Sequence, residues 1–307
     1  TGSSADERVT CLPSQYGAVA LAIYNALSGS VANVSPAINE LIKKIATDLN
    51  ANKGNALVVC GSNDANIQTI VNAINNAIGA YGTTISFGST NNTKKGNDTD
   101  MNTFAAALKA GQVGAVMFYD CNPVYDNING SLIKEGIGKL KLSLSFNDRL
   151  DETTQLCKVA APSHHWLESW GDASSHSGYT SWMQPTIAPL FKTRAWEESL
   201  LKWAGNNTTH YDFVKNYWIA KLGSEPAFDA AIQSGIAEPE TMPMTSAAFS
   251  GNVATASAAI ASIKASAADK VDLVIYDKIG IGRGGVWSNN PWLQEMPDPV
   301  SRTVGGN

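Results

Sequence analysis

ALVVCGS, residues 56–62, is the stretch on which the reading of this chain turns. Its apolar residues run on continuously instead of alternating, the pattern of a strand covered on both faces in a parallel sheet. A polar turn, Gly61-Ser62-Asn63-Asp64, follows it. Residues 64–79 then set Ile67, Ile70, Val71, Ile74 and Ile78 on one helical face. Strand, short turn and helix in that order form the repeating unit of an α/β fold.

Working outward, the unit recurs. TTISFGS (residues 83–89) reads as a strand, 91–100 as a polar loop, 102–110 as a helix and VGAVMFYD (113–120) as the next strand. A short helix near Leu132 leads to a strand over 140–146, and residues 151–156 lead to a last apolar run, VAAP. On the amino-terminal side, RVTCL is strand-like and residues 15–27 have helical spacing. Ser35 and Pro36 sit as N-cap and first residue of a second helix. The alternation predicts a three-layer αβα, Rossmann-like domain around a mostly parallel sheet of about five strands. Beyond residue 191 the pattern changes. Helices are expected over 195–204 and 211–222, a loose stretch with one exposed helix over 239–266, and a strand over 271–276.

The totals narrow the function classes. The 307 residues suffice for two domains, and 44% hydrophobic content suffices for packed cores. A net charge of -5 with no basic stripe removes the electrostatic drive for nucleic-acid binding. No apolar run is long enough to span a bilayer. The opening Thr1-Gly2-Ser3-Ser4, without methionine, reads as the start of a piece of a longer chain. Cys11, Cys60, Cys121 and Cys157 lie tens of residues apart with no CxxC pair, so zinc or iron–sulfur ligand spacing is absent. Cys60 and Cys121, beside apolar runs, are expected as small buried thiols.

Ligands of doubly wound sheets bind beyond the carboxyl ends of strands. That rule selects Gly61 to Asp64, Cys121 to Pro123, Asn147 to Arg149, and the loop opening at Pro162. Gly61 and Ser62 precede a helix whose N–H groups suit a phosphate. There is no full GxGxxG, however, and Asp64 repels an anion, so an ordinary turn capped by Ser62 or Asp64 is the competing reading. The glycine run beginning at Ile279 follows a strand-like stretch but leads into Trp287, Asn289, Asn290 and Pro291, a loop where a nucleotide fingerprint needs a helix. Residues 161–191 hold three of the four histidines and three of the eight tryptophans. There His164, His165, Glu168 and Asp172 make either a mixed metal-ligand set or a hydrogen-bonded structural set. The structural set is expected, with Trp166, Trp170, Trp182 and Trp196 filling the space a substrate would need. No nucleophile elbow is present, and no catalytic residue is assigned.

Several rare strings then occur in a familiar order: ALVVCGSND, INNAIGAYGTTISF, VMFYDCNPVYD, NDRLDETTQLCKVAAPSHHWLESWGD, QPTIAPLF and NNPWLQEMPDP. Together they resemble the molybdopterin oxidoreductase (dimethyl sulfoxide reductase) family. Cys121-Asn122-Pro123 is similar to that family's Gly-Asn-Pro turn, and Asp151-Glu152-Thr153 to its glutamate–threonine segment. HHWLESWGD and WLQEMPDP bring the chain closest to the iron–sulfur B subunit of bacterial alternative complex III, often labelled an iron–sulfur-containing hydrogenase.

The resemblance implies a Rossmann-like domain over residues 36–165, inserted in a second, smaller α/β lobe of 1–35 with 166–307. It implies a fragment of a respiratory electron-transfer subunit from a membrane-bound quinol:electron-acceptor oxidoreductase on the periplasmic side of a bacterial inner membrane. Its partners would be the rest of the parent subunit and the neighbouring subunits. The family's cluster cysteines and metal-ligating residue have no counterpart here, so the piece is expected to hold no cofactor, with iron–sulfur clusters elsewhere in the parent. The alternative is that it forms part of the grip on molybdopterin guanine dinucleotide in an active molybdenum enzyme, through Gly61, Ser62, Asn122, Pro123, Asp151 and His165.

Overall fold

The computed structural model describes residues 4–30, 34–88, 90–93, 95–238, 245–263, 271–275, 290–299 and 302–304. The chain runs through helices α1 (Tyr16–Leu27), α2 (Pro36–Ala51), α3 (Ala65–Ala77) and α4 (Asp98–Lys109), then strand β1 (Ala115–Phe118). Helices α5 (Pro123–Asp126) and α6 (Gly130–Ile137) lead to strands β2 (Leu142–Ser145) and β3 (Val159–Ala160). After them come β4 (Gly171–His176), β5 (Tyr179–Met183), α7 (Trp196–Trp203), α8 (His210–Leu222), α9 (Glu225–Ser234), β6 (Ile236–Ala237), α10 (Val253–Ser262) and α11 (Pro291–Glu295). Two compact units result, Thr1–Thr90 with Glu240–Ile275 and Asn91–Pro239 with Tyr276–Asn307. The expected lobe of residues 36–165 has members in both.

In the first unit, α1, α3 and α10 share one core. Ile67, Ile70, Val71, Ile74 and Ile78 meet Ala20, Ala256 and Ile260 there, and Ile38 and Ile42 dock α2 on Ala22. Helix α10 was expected to be exposed; its Ala256 and Ile260 are instead buried. ALVVCGS differs more. Residues 56–60 form no ladder. Ala56, Val58 and Cys60 pack on the helical core, while Leu57 and Val59 are 50% and 78% exposed. The stretch therefore has a strand's period of two and only one covered face. A side chain stands in for its ladder partner: the buried Asn75 amide accepts from Val58 N–H at 2.9 Å and donates to Val58 C=O at 2.8 Å. Among the described residues, the strands expected near 83–89 and 271–275 are also missing. The first reduces to a Tyr81–Ile85 bridge across a tight turn, and in the second Val271, Leu273 and Ile275 are exposed. RVTCL is likewise no strand.

The second unit carries the parallel sheet, in the order β1-β2-β3, with Val116 opposite Ser143 and Phe118 opposite Ser145. Val116 and Phe118 face a core built from Ala105 and Leu108 of α4 and Ile133 and Ile137 of α6. Gly136 sets how closely those helices approach: a Cβ on it would lie 2.6 Å from Leu108 Cγ and 2.7 Å from the Leu108 carbonyl carbon. The chain is thus mixed α/β with a parallel three-stranded sheet and flanking helices, compatible with Rossmann-like αβα layering.

A second, antiparallel sheet, β4-β5-β6, was not anticipated from the sequence. Its hairpin turns at Ser177-Gly178, with Gly178 at φ +87°. Trp182 of β5 packs edge-on against Trp218 of α8 and Phe228 of α9, which holds this sheet to its helices. Among the described residues no helix is long and apolar enough to cross a membrane.

Candidate functional site at the ends of the parallel strands

The loops leaving β1, β2 and β3 surround a crevice of about 220 Å³ lined by Tyr119, Asp120, Phe146, Asn147, Asp148, Arg149 and residues 163–166. This is where a parallel sheet of this class is expected to present a ligand. Tyr119 and Phe146 close one wall against Trp196, at ring separations of 4.7 and 6.3 Å.

Behind the crevice, the polar residues of the strand ends are bonded mostly to one another. Asn122 accepts from both the backbone N–H and the hydroxyl of Thr153, at 3.1 and 2.7 Å, and donates to Glu152 at 2.7 Å. Pro123 is buried as the first residue of α5. Asp151 accepts from Thr154 N–H at 2.7 Å and from the Asn147 amide at 2.8 Å, and the same amide reaches Cys121 C=O. Ser145 and Thr154 exchange a buried hydroxyl contact at 2.8 Å. One acceptor is left over: Asn147 Oδ1 is buried without a hydrogen-bond partner.

The open side of the crevice carries two carboxylates, Asp120 and Asp148, beside Arg149, His164 and His165. Asp120 lies in the left-handed region at φ +47°, uncommon for a residue other than glycine. Its carboxyl is raised above the usual range, first by partial loss of solvation and then by the Asp148 charge. Asp148 is itself held low by hydrogen bonding to Arg149, at 2.9 Å from Nε. A pyrophosphate placed here would face two carboxylates, an arginine already paired with one of them, and the imidazoles of His164 and His165, whose Nδ1 atoms are engaged with Thr193 and Leu167. About 220 Å³ is also below the size range of ligand pockets, roughly 300–1,000 Å³. The crevice alone therefore does not fit a pterin dinucleotide.

Of the remaining expected contacts, His165 lines this crevice. Gly61 and Ser62 belong to the first unit. There Asp64 caps α3 through Asn66 and Ile67 N–H, and Ser62 accepts from Asp64 N–H. The helix-start donors that would meet a phosphate are thus bonded within the chain. His165 Nδ1 accepts from Leu167 N–H at 3.3 Å as cap of a short 3₁₀ turn. His164 Nδ1 pairs with the Thr193 hydroxyl at 2.6 Å. Buried Glu168 receives His165 N–H and Leu190 N–H, each at 2.9 Å, and these bonds hold its carboxyl low. Asp172 accepts the Trp218 indole N–H at 2.7 Å.

Each of the four polar residues singled out in residues 161–191 therefore makes hydrogen bonds within the protein, but the space-filling part of the expectation fails. Trp166 is 59% exposed, and the crevice opens beside His164 and His165. Cys121, expected buried, is exposed. The glycine run beginning at Ile279 lies outside the described residues. Among the described residues no three His, Cys, Asp or Glu side chains are grouped to hold a metal ion.

No protein-family model matches the chain. Over 113 residues it is 30% identical to the "Menaquinone reductase, molybdopterin-binding-like subunit" of Nitratidesulfovibrio vulgaris (strain Hildenborough), an alignment covering 34% of this chain and 16% of that protein. The matched region thus spans about one sixth of the relative's length. This similarity supports kinship with a molybdopterin oxidoreductase-related family.

Proposed function

We propose that this chain is a structural, cofactor-free part of a molybdopterin-oxidoreductase-like subunit in a respiratory electron-transfer complex. The complex would be of the quinol:electron-acceptor (alternative complex III) kind, on the periplasmic side of a bacterial inner membrane, with iron–sulfur clusters elsewhere in the parent. The relative's molybdopterin-binding-like subunit supports the family. The observation that carries the structural reading is the bonding at the strand ends. Asn122, Asp151, Thr153 and Thr154 spend their hydrogen bonds on each other, and the crevice beside them presents Asp120 and Asp148 where a cofactor phosphate would need donors.

Exposed apolar rows at Leu57 and Val59, and at Val271, Leu273 and Ile275, support burial against the rest of the parent or neighbouring subunits. The alternative, a partial grip on molybdopterin guanine dinucleotide, draws support from the orphan Asn147 Oδ1, an acceptor suited to an N–H donor. Elemental analysis of this purified chain decides between them. The proposal expects no stoichiometric molybdenum or iron, and a stoichiometric amount of either overturns it.

A further inference from the structure

The second unit contains a larger cleft, about 730 Å³, in which residues of β4, β5, α7 and α8 come together. Its walls are mostly apolar and aromatic, formed by Trp196, Leu201, Phe213, Tyr217 and Trp218 among others. Four polar side chains join them: Asp172, Ser174, Glu197 and His210. No lysine or arginine lines the cleft. Loss of solvation raises the Glu197 carboxyl, as expected for an acid held among apolar walls, while the charge of His210 acts in the opposite direction. Asp172 is fixed by the Trp218 indole at 2.7 Å, and Trp218 is braced edge-on by Trp182 at 5.4 Å. The aromatic wall and the carboxylate beside it are thus held together.

We propose that this cleft binds an amphipathic organic cation, an apolar or aromatic body carrying a protonated amine. The volume matches a small-molecule site. Aromatic faces attract a cation, more strongly where water is excluded, and the two carboxylates supply its counter-charge. An anion would meet two carboxylates against the single imidazole of His210, with no lysine or arginine beside it, so the charge pattern selects against it. A neutral ligand of the same shape keeps the apolar contact and forgoes the charge.

Calorimetric titration of the whole chain with phenethylamine, phenethyl alcohol and phenylpropionate tests this. Phenethylamine is expected to bind most tightly, phenethyl alcohol about tenfold more weakly for want of one charge-assisted contact, and phenylpropionate not detectably. Glu197→Gln should narrow the gap between amine and alcohol, and Leu201→Trp, which fills the cleft, should abolish both. The ranking in the unaltered chain needs no variant to fold. Equal binding of amine and alcohol, preference for the carboxylate, or no binding of the amine overturns the proposal. So does saturable binding of a lysine-bearing amphipathic peptide without binding of the small amine, which would assign the cleft to a protein partner.

Discussion

Glu168 and Asp120 lie on neighbouring loops and respond to pH in opposite directions. Glu168 is held below the usual carboxylate range by two backbone N–H donors. Its contribution is complete above the unfolded pKa and fades as pH falls through the lower folded value. Glu168→Gln should therefore lower the thermal midpoint at neutral pH, and the deficit should shrink toward about pH 3. A deficit that is constant with pH would contradict this assignment. Asp120 is shifted upward, first by partial loss of solvation and then by Asp148. Its ionised form costs stability above the folded pKa, and the cost disappears below the unfolded one. Asp120→Asn should raise the midpoint at neutral pH, with no gain below about pH 4. Thermal melts of both variants across this range measure the two slopes together.

At the scale of elements, two contacts decide how helices meet their neighbours. Asn75→Leu would leave the Val58 N–H and C=O without their amide partner, at a cost of about 1–3 kcal/mol in chemical denaturation. Gly136→Ala gains helix propensity of about 1 kcal/mol but forces a Cβ onto the Leu108 backbone, a clash of about 1–3 kcal/mol, so net destabilisation is expected. These elements also show what was legible in the sequence. The period of 3.6 located α3, whose Ile67, Ile70, Val71 and Ile74 are buried along one side; α8 also lies where a helix was expected, although Val214 is its one buried residue. Ser35 and Pro36 marked the start of α2 correctly, although the Ser35 side chain makes no capping bond. ALVVCGS misled because composition reports apolarity and is silent on whether a ladder partner exists. The β4–β5 hairpin was missed because its first strand, GDASSH, has no apolar alternation to mark it as a strand. Its signal was the Ser177-Gly178 pair, a turn dipeptide. At the candidate site, sequence order singled out Asn122, Asp151 and His165. The carboxylate character of the crevice depends on the left-handed turn at Asp120, which no local pattern announces.

In the whole molecule, one unit carries a parallel sheet with internally bonded strand ends, and the other is helical and presents exposed apolar rows. Both features are what the proposed role, a part buried in a larger assembly, would require. The proposed structural role requires that the strand-end crevice take no dinucleotide. Its most direct test is calorimetric titration of this chain with a guanine nucleotide diphosphate, alongside an Asp120→Asn, Asp148→Asn double variant that removes the repelling charges. No saturable heat is expected with the unaltered chain. Stoichiometric binding by the unaltered chain that is lost on Asn147→Leu would contradict it and place the cofactor grip at the strand ends.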